Sequence, residues 1–257
     1  MIPLKDQEAI RLKFAQELLG PVKIDFFTQK ELDIIVPGRE PCATCKPTRQ
    51  MLRELAALSD LVSLRVHDFE DEREEAAKFG VERIPGIVLR GRDTAMLKLY
   101  GMPGGTEFPS FVDTIADVSC KAVLLSQESI KALRKVKEDM RVKVFVAPTC
   151  PYCPGMARAA FQMSLANPRV KAEVIQADEF PTLAQRYDVR AVPLTVIEER
   201  IAVTGAVAEK GLVEQVVKAA QSPAAQPSDV RGPSTPWEPP EPEKGEQRRG
   251  GGGLILP

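Results

Sequence analysis

Apolar residues in the first twenty positions recur at helical intervals. Leu4, Ile10, Phe14 and Leu18 share one face of a predicted amphipathic helix, which Gly20-Pro21 ends. Val22 to Phe27 alternates apolar with polar and then becomes apolar, the pattern of a strand. Lys30 to Glu40, carrying Pro37-Gly38, reads as an inserted loop. Thr48 to Leu58 is helix-forming, with Met51, Leu52, Leu55 and Leu58 on one face. Leu61 to Val66 predicts a strand, and Asp71 to Phe79 a charged helix stopped by Gly80. Gly86 to Leu89 and Ala95 to Tyr100 flank the turn Arg90-Gly91-Arg92-Asp93 as a hairpin. Phe108 to Val118 closes this half as a helix.

The second half repeats the order. Ile130, Leu133 and Val136 mark a leading helix, Val142 to Val146 a strand, and a further helix runs to Leu165. Val170 to Ala177 then predicts a strand and Thr182 to Tyr187 a helix. Leu194 to Ile197 pairs with Ile201 to Thr204 around Glu198-Glu199-Arg200, and Glu209 to Ala220 ends the unit. Tyr100-Gly101 is echoed by Thr204-Gly205. The repeat of 108 residues is a domain duplication, since solenoid periods run to only about 20–50 residues. The expected fold class is α/β, in two units at 1–119 and 120–221. From 222 to 257 prolines alternate with charges before Gly250 to Gly253. Such composition cannot offset its ordering entropy, so a disordered tail is expected. Trp237 and Leu254-Ile255-Leu256-Pro257 lie in it; an inert tail is the main reading and a docking peptide the alternative.

Composition narrows the classes. The 257 residues are 44% hydrophobic and 28% charged, with a net charge of −1. That is ordinary for a globular protein of two domains and lacks the cationic excess of a nucleic-acid binder. No basic segment leads into an apolar run near Met1, and no stretch reaches about 18 apolar residues. A cytoplasmic protein with no membrane segment is therefore expected. In a reducing compartment a Cys-x-x-Cys is redox-active or metal-binding more often than structural.

Four of the five cysteines form two such motifs, Cys42-Ala43-Thr44-Cys45 and Cys150-Pro151-Tyr152-Cys153. Each is followed 43 residues after its first cysteine by a proline, Pro85 in Arg83-Ile84-Pro85-Gly86 and Pro193 in Ala191-Val192-Pro193-Leu194. Both dithiols fall where a strand ends and a helix begins, where amide N–H groups and the helix dipole favour a thiolate. Cys42 and Cys150 are expected to be exposed nucleophiles, and Cys45 and Cys153, one turn inward, to resolve mixed disulfides. Tyr152 offers a flat apolar contact and Pro151 restricts the second motif, so Cys150–Cys153 is expected to be the more active centre. Prolines 85 and 193 interrupt strands, a conflict that a cis bond resolves. The backbones of Ile84 and Val192 would then face an extended substrate as an added strand.

Cys-Pro-Tyr-Cys after a Val/Phe-rich strand resembles glutaredoxin, and the downstream Val-Pro resembles the thioredoxin cis-proline. With the duplication, Val144 to Pro154 and Tyr100-Gly101-Met102-Pro103-Gly104-Gly105, residues 1–220 are similar to the glutaredoxin-like protein disulfide oxidoreductases of thermophilic prokaryotes. The resemblance implies two thioredoxin folds sharing one sheet, and thiol–disulfide exchange on protein substrates. It also implies electrons from a thioredoxin-reductase-type flavoprotein and no cofactor beyond the redox-active disulfides. The chain departs from that pattern in the long loop at 30–40, the Ala43-Thr44 pair and the tail.

Two alternatives stand beside it. One is a dedicated electron carrier to a peroxiredoxin, like the tandem thioredoxin-fold region of alkyl hydroperoxide reductase flavoproteins. The other is a non-catalytic scaffold or zinc module; four cysteines could make one site, but structural sites place their pairs about 15–20 residues apart. No metal is expected. Thioredoxin carries an acid on the strand before its dithiol, which makes Asp25 a candidate proton acceptor for Cys45. A solvent-facing position is the favoured reading of Asp25, with Lys143 at the matching place in the second unit. His67 is read as structural, Asp68 to Glu75 as a solvated helix face, and Cys120 as a buried small residue or an idle thiol.

Overall fold

The computed structural model describes residues 2–30, 41–92 and 95–222. The expectations for the loop at 30–40 and for the tail lie outside these, apart from Lys30 and Ser222. The first half contains α1 (Leu4–Glu17), β1 (Val22–Thr28), α2 (Cys45–Ala56), β2 (Val62–Asp68), α3 (Arg73–Phe79), β3 (Gly86–Arg90), β4 (Leu97–Tyr100) and α4 (Glu107–Cys120). The second contains α5 (Gln127–Leu133), β5 (Met140–Val146), α6 (Cys153–Ala166), β6 (Val170–Gln176), α7 (Pro181–Arg186), β7 (Leu194–Ile197), β8 (Ile201–Thr204) and α8 (Glu209–Gln221). The element order is the one the hydrophobic pattern predicts. α3 starts two residues later than expected, and Val136 lies beyond the end of α5, whose first turn Ser126 caps by accepting from Ser129 N–H at 3.2 Å.

All eight strands join one sheet in the order β2-β1-β3-β4-β6-β5-β7-β8. Each half supplies a parallel pair (β1 with β2, β5 with β6) and two antiparallel partners. The halves meet where β4 runs parallel to β6, with Lys98 opposite Glu173 and Leu99 opposite Val174. Lys98 Nζ and a Glu173 carboxylate oxygen pair at 2.6 Å there, both largely buried. On the helical side α4 and α6 are tied by a fork of Arg158 onto Asp117, with both bonds at 2.9 Å, and by Gln162 onto the same carboxylate.

The two faces are unequal. One is covered by α1, α2, α4, α5, α6 and α8, whose Phe14, Leu52, Ile115, Leu133, Phe161 and Val216 share a core with Ile24, Val144 and Val174. Among the described residues the other carries only α3 and α7, over Phe27, Val88, Tyr100, Phe145 and Ile175. Burial of each such side chain contributes about 1.5–3 kcal/mol. Since β1 and β5 run the same way, both dithiols lie at one edge of the sheet. Among the described residues no helix is long and apolar enough to cross a membrane.

Candidate functional site

Cys45 is the first residue of α2 and Cys153 the first of α6, so each motif closes the entry to a helix. Both pairs are disulfide-bonded, with Cα atoms 5.4 and 5.5 Å apart. Cys153 N–H donates toward Cys150 Sγ at 3.1 Å, which gives a thiolate at Cys150 an amide partner. Cys42 is held differently, its N–H donating to Gln29 Oε1 at 2.9 Å.

Ile84-Pro85 and Val192-Pro193 are cis. Val192 O lies 3.6 Å from Cys150 Sγ. The proline carbonyls accept from the glycines that follow the next strands, Gly101 N–H to Pro85 O at 2.9 Å and Gly205 N–H to Pro193 O at 2.8 Å. Both glycines have positive φ, 96° and 80°, so the echoed Tyr100-Gly101 and Thr204-Gly205 perform the same turn.

Burial corrects one expectation. Cys42 is half-buried, but Cys150 is only 8% exposed, beside Cys153 at 0%. Cys150 is recessed where the first half packs on its loop: Thr106, just before α4, donates through Oγ1 to Cys150 O at 2.9 Å, and Ser110 Oγ of α4 donates to Pro154 O at 3.3 Å. Tyr152, 68% exposed, marks the entrance. Beside Val192 an open groove of about 550 Å³ is lined by Ala147, Ala177, Pro181, Val189 and Ala191, with Asp178 on its rim. At the positions matching Ala177 and Ala191 the first half carries Phe69 and Arg83. Phe69 N–H to Thr28 O and Ala177 N–H to Val146 O, both 2.9 Å, fix that equivalence.

Asp25 is a second correction. It is 1% exposed, with Oδ1 3.0 Å from His67 Nε2 and Oδ2 2.6 and 2.8 Å from the Arg90 guanidinium. Its face is the wrong one for Cys45. Ile24 and Phe26 pack in the core of α2, whereas Phe27, on the Asp25 side, packs with Phe79 and Val88. His67 is sealed between Asp25 and Glu72 and stacks on Phe27 at 4.5 Å. Asp68 and Glu72 are therefore network members rather than a solvated face; Asp68 Oδ1 also accepts the Glu70 and Asp71 amides at 3.0 Å. Lys143, matching Asp25, is 7% exposed and donates to Tyr187 Oη at 2.8 Å and to Glu199. Burial opposes its charge, but Glu199 and Tyr187 outweigh that and raise its pKa. Cys120 is half-buried, its Sγ donating to Ala116 O at 3.1 Å.

Sequence reasoning missed Glu107. It lies between Thr106 and Ser110 in the first turn of α4, 2% exposed, and its Oε1 has no hydrogen-bond partner. Burial pushes its pKa up to about 7. In sequence it reads as an ordinary acid at a helix start; in the fold it sits in the turn of α4 whose Ser110 bonds the second motif. The two dithiols are separated in the sheet by β3, β4 and β6, four strand spacings or about 19 Å. Four sulfurs so divided cannot share one zinc ion.

Comparison with known proteins agrees with this geometry. The thioredoxin domain family matches residues 140–218. The chain is 26% identical over 150 residues to an NADH dehydrogenase of Bacillus subtilis, and 28% identical over 148 residues to an alkyl hydroperoxide reductase component of Staphylococcus aureus. Each alignment covers 58% of this chain, which spans only 27% of the length of either relative. Fold and site together define a thiol–disulfide oxidoreductase with two Cys-x-x-Cys motifs on two thioredoxin folds. In particular, the chain is similar to a protein disulfide oxidoreductase from Aeropyrum pernix, with TM-score 0.74, 25% identity, and 85% of this chain and 93% of that one covered. The NTD_N/C domain of alkylhydroperoxide reductase from Enterococcus faecalis shares the fold, with TM-score 0.74, 22% identity, and 84% and 100% covered.

Proposed function

We propose that the chain reduces protein disulfides through Cys150–Cys153, with Cys42–Cys45 as a second, non-equivalent dithiol. Electrons would come from a thioredoxin-reductase-type flavoprotein in a reducing, cytoplasmic setting. The observation that carries the reading is the Cys153 amide directed at Cys150 Sγ, at a helix start, beside the Val192 carbonyl. In the reduced protein the Cys150 thiolate attacks one sulfur of a substrate disulfide, and the other leaves as a thiolate. The backbone of Val192, with that of Ile84 at the first site, pairs with the extended substrate, held in place by Pro193 and Pro85, and Tyr152 lies against it. Cys153 then gives up its proton, for which we propose Glu107 as the acceptor: it lies in the helix turn whose Ser110 bonds Pro154, and burial pushes its pKa up to about 7. Its thiolate attacks Cys150 Sγ and expels the second substrate thiolate. The substrate gains two electrons and the chain keeps a disulfide, which the flavoprotein reduces in turn.

The likeness to alkyl hydroperoxide reductases favours a second reading, a carrier to a peroxiredoxin. Turbidity from insulin reduction tests the first. Rapid reduction of insulin supports it; activity toward a peroxiredoxin with none toward insulin transfers the case to the second; neither activity overturns both.

A further inference from the structure

We infer that Glu179, a residue of the second half, sets the thiolate affinity of the first half's dithiol and so the position of its redox equilibrium. The inference rests on the dithiol reading above and deepens it. Thr44 lies inside the motif Cys42-Ala43-Thr44-Cys45, and its Oγ1 donates to Glu179 Oε2. The other carboxylate oxygen accepts from Met102 N–H at 2.7 Å. Glu179 is thus clamped between the turn that holds the first dithiol and the loop after β4, at the junction of the halves. Gly101 leaves the space for it: a Cβ there would stand 3.0 Å from Glu179 Oε1 and 2.6 Å from Gln176 Cβ.

The charge acts against its surroundings. The N-terminal end of α2 favours a thiolate at Cys42, and so do the cations of its first turns, Lys46 and Arg49, the latter donating to Gln29 O at 3.2 Å. A carboxylate on the same turn opposes them. A less stable thiolate leaves the dithiol form less stable, so the centre holds its two electrons less readily and is the more reducing for it. The matching residue of the second motif is Tyr152, which points to solvent. Glu179 therefore accounts for a chemical difference between two motifs on the same backbone. It reaches the first motif from a segment that continues through α7 to Val192, whose carbonyl faces Cys150. One stretch of the second half touches both centres.

Glu179 is a positioning residue in this scheme and exchanges no electrons. Reduction of Cys42–Cys45 takes two electrons and two protons from two molecules of glutathione, which leave as glutathione disulfide, and only the equilibrium moves. The test uses the full chain and the variants E179Q, E179D and T44V in glutathione buffers, with alkylation and peptide mass spectrometry reporting each pair separately. Cys42 alkylation rate against pH is the second readout. We expect E179Q to shift the 42/45 equilibrium toward the dithiol by about threefold or more and to move the Cys42 profile to lower pH, with 150/153 unchanged. E179D keeps the charge and stays closer to wild type than E179Q does; T44V falls between. An unchanged Cys42 profile in E179Q overturns the inference, and so does an equal shift at both dithiols, the mark of general loosening. If wild-type 42/45 forms no disulfide at any poise, the dithiol reading of this motif falls, and the inference with it.

Discussion

β1 and β5 have the same burial pattern and the same neighbours, yet at one shared position they bury opposite charges. Asp25 sits with His67 and Arg90 in the first half, and Lys143 with Glu199 and Tyr187 in the second. The duplicated backbone needs a satisfied polar group there and is indifferent to its sign. The dithiol edge shows the same principle with a functional outcome. Strand, helix start, cis-proline and positive-φ glycine are kept in both halves, while the surroundings differ: a groove and a buried Glu107 at Cys150, Phe69, Arg83 and Glu179 near Cys42. Duplication preserved the machinery of a dithiol and left its environment free to diverge.

The sharpest way to break this comparison is to remove one nucleophile at a time. C150S should lower insulin reduction by about a thousandfold, the range of a lost nucleophile, and C42S by far less. Equal losses in a turbidity assay would mean that the two dithiols work in series, and a larger loss in C42S would reverse the assignment of the more active centre.

Element order, the two hairpins and the placing of both dithiols were legible because each rests on local signals, period-2 and period-3.6 patterns, Gly-Pro stops and a 108-residue repeat that holds from each first cysteine to its proline. Three features were not, and each depends on tertiary packing. Asp25 reads as polar in an alternating strand, and nothing nearby in sequence says that His67 and Arg90 meet it under α3. Glu107 and Cys150 are both buried near where the first half's last helix meets the second half's dithiol, at the bonds from Thr106 to Cys150 and from Ser110 to Pro154. Residues that answer to the junction between the halves cannot be read from either half alone.

The buried charges offer the next test. D25A strands His67, which is fully buried, and should cost about 3–5 kcal/mol in denaturant unfolding. K143M removes a cation whose main partner, Glu199, is 38% exposed and can regain water. We expect about 1–2 kcal/mol there. Equal costs would show that the two sites are sealed alike.

Glu107 follows, with a sign that is easily checked. Its pKa in the folded protein, about 7, lies above the ordinary carboxyl value of 4.5, so the native state binds the proton more tightly. The stabilisation is complete below about pH 4.5 and is lost as pH rises through 7. E107Q, neutral throughout, should be more stable than wild type above pH 7, by up to about 3 kcal/mol. The gap should close by pH 4.5. A difference independent of pH would mean that Glu107 does not titrate in this range. Insulin reduction by E107Q should lose its pH dependence near neutrality as well as speed, which separates a proton acceptor from a packing residue.

The smallest effect tests whether the groove is what distinguishes the second site. Ala177 lines it, and Phe69 stands at the equivalent position of the first half. A177F imports the first half's residue without touching either cysteine or the Val192 carbonyl. If an extended substrate lies along the groove, the added ring should raise KM for a protein disulfide by about three- to tenfold, the equivalent of about 1 kcal/mol of lost contact. kcat should hold, because Cys150, Cys153 and Glu107 keep their surroundings. The reduction potential of Cys150–Cys153 serves as the control and should stay at its wild-type value. An unchanged KM would place the substrate on the Tyr152 side of Cys150. A fall in kcat with constant KM would mean that residue 177 acts on the Val192-Pro193 backbone itself, and that the two dithiols differ in how that backbone is held rather than in what lies beside it.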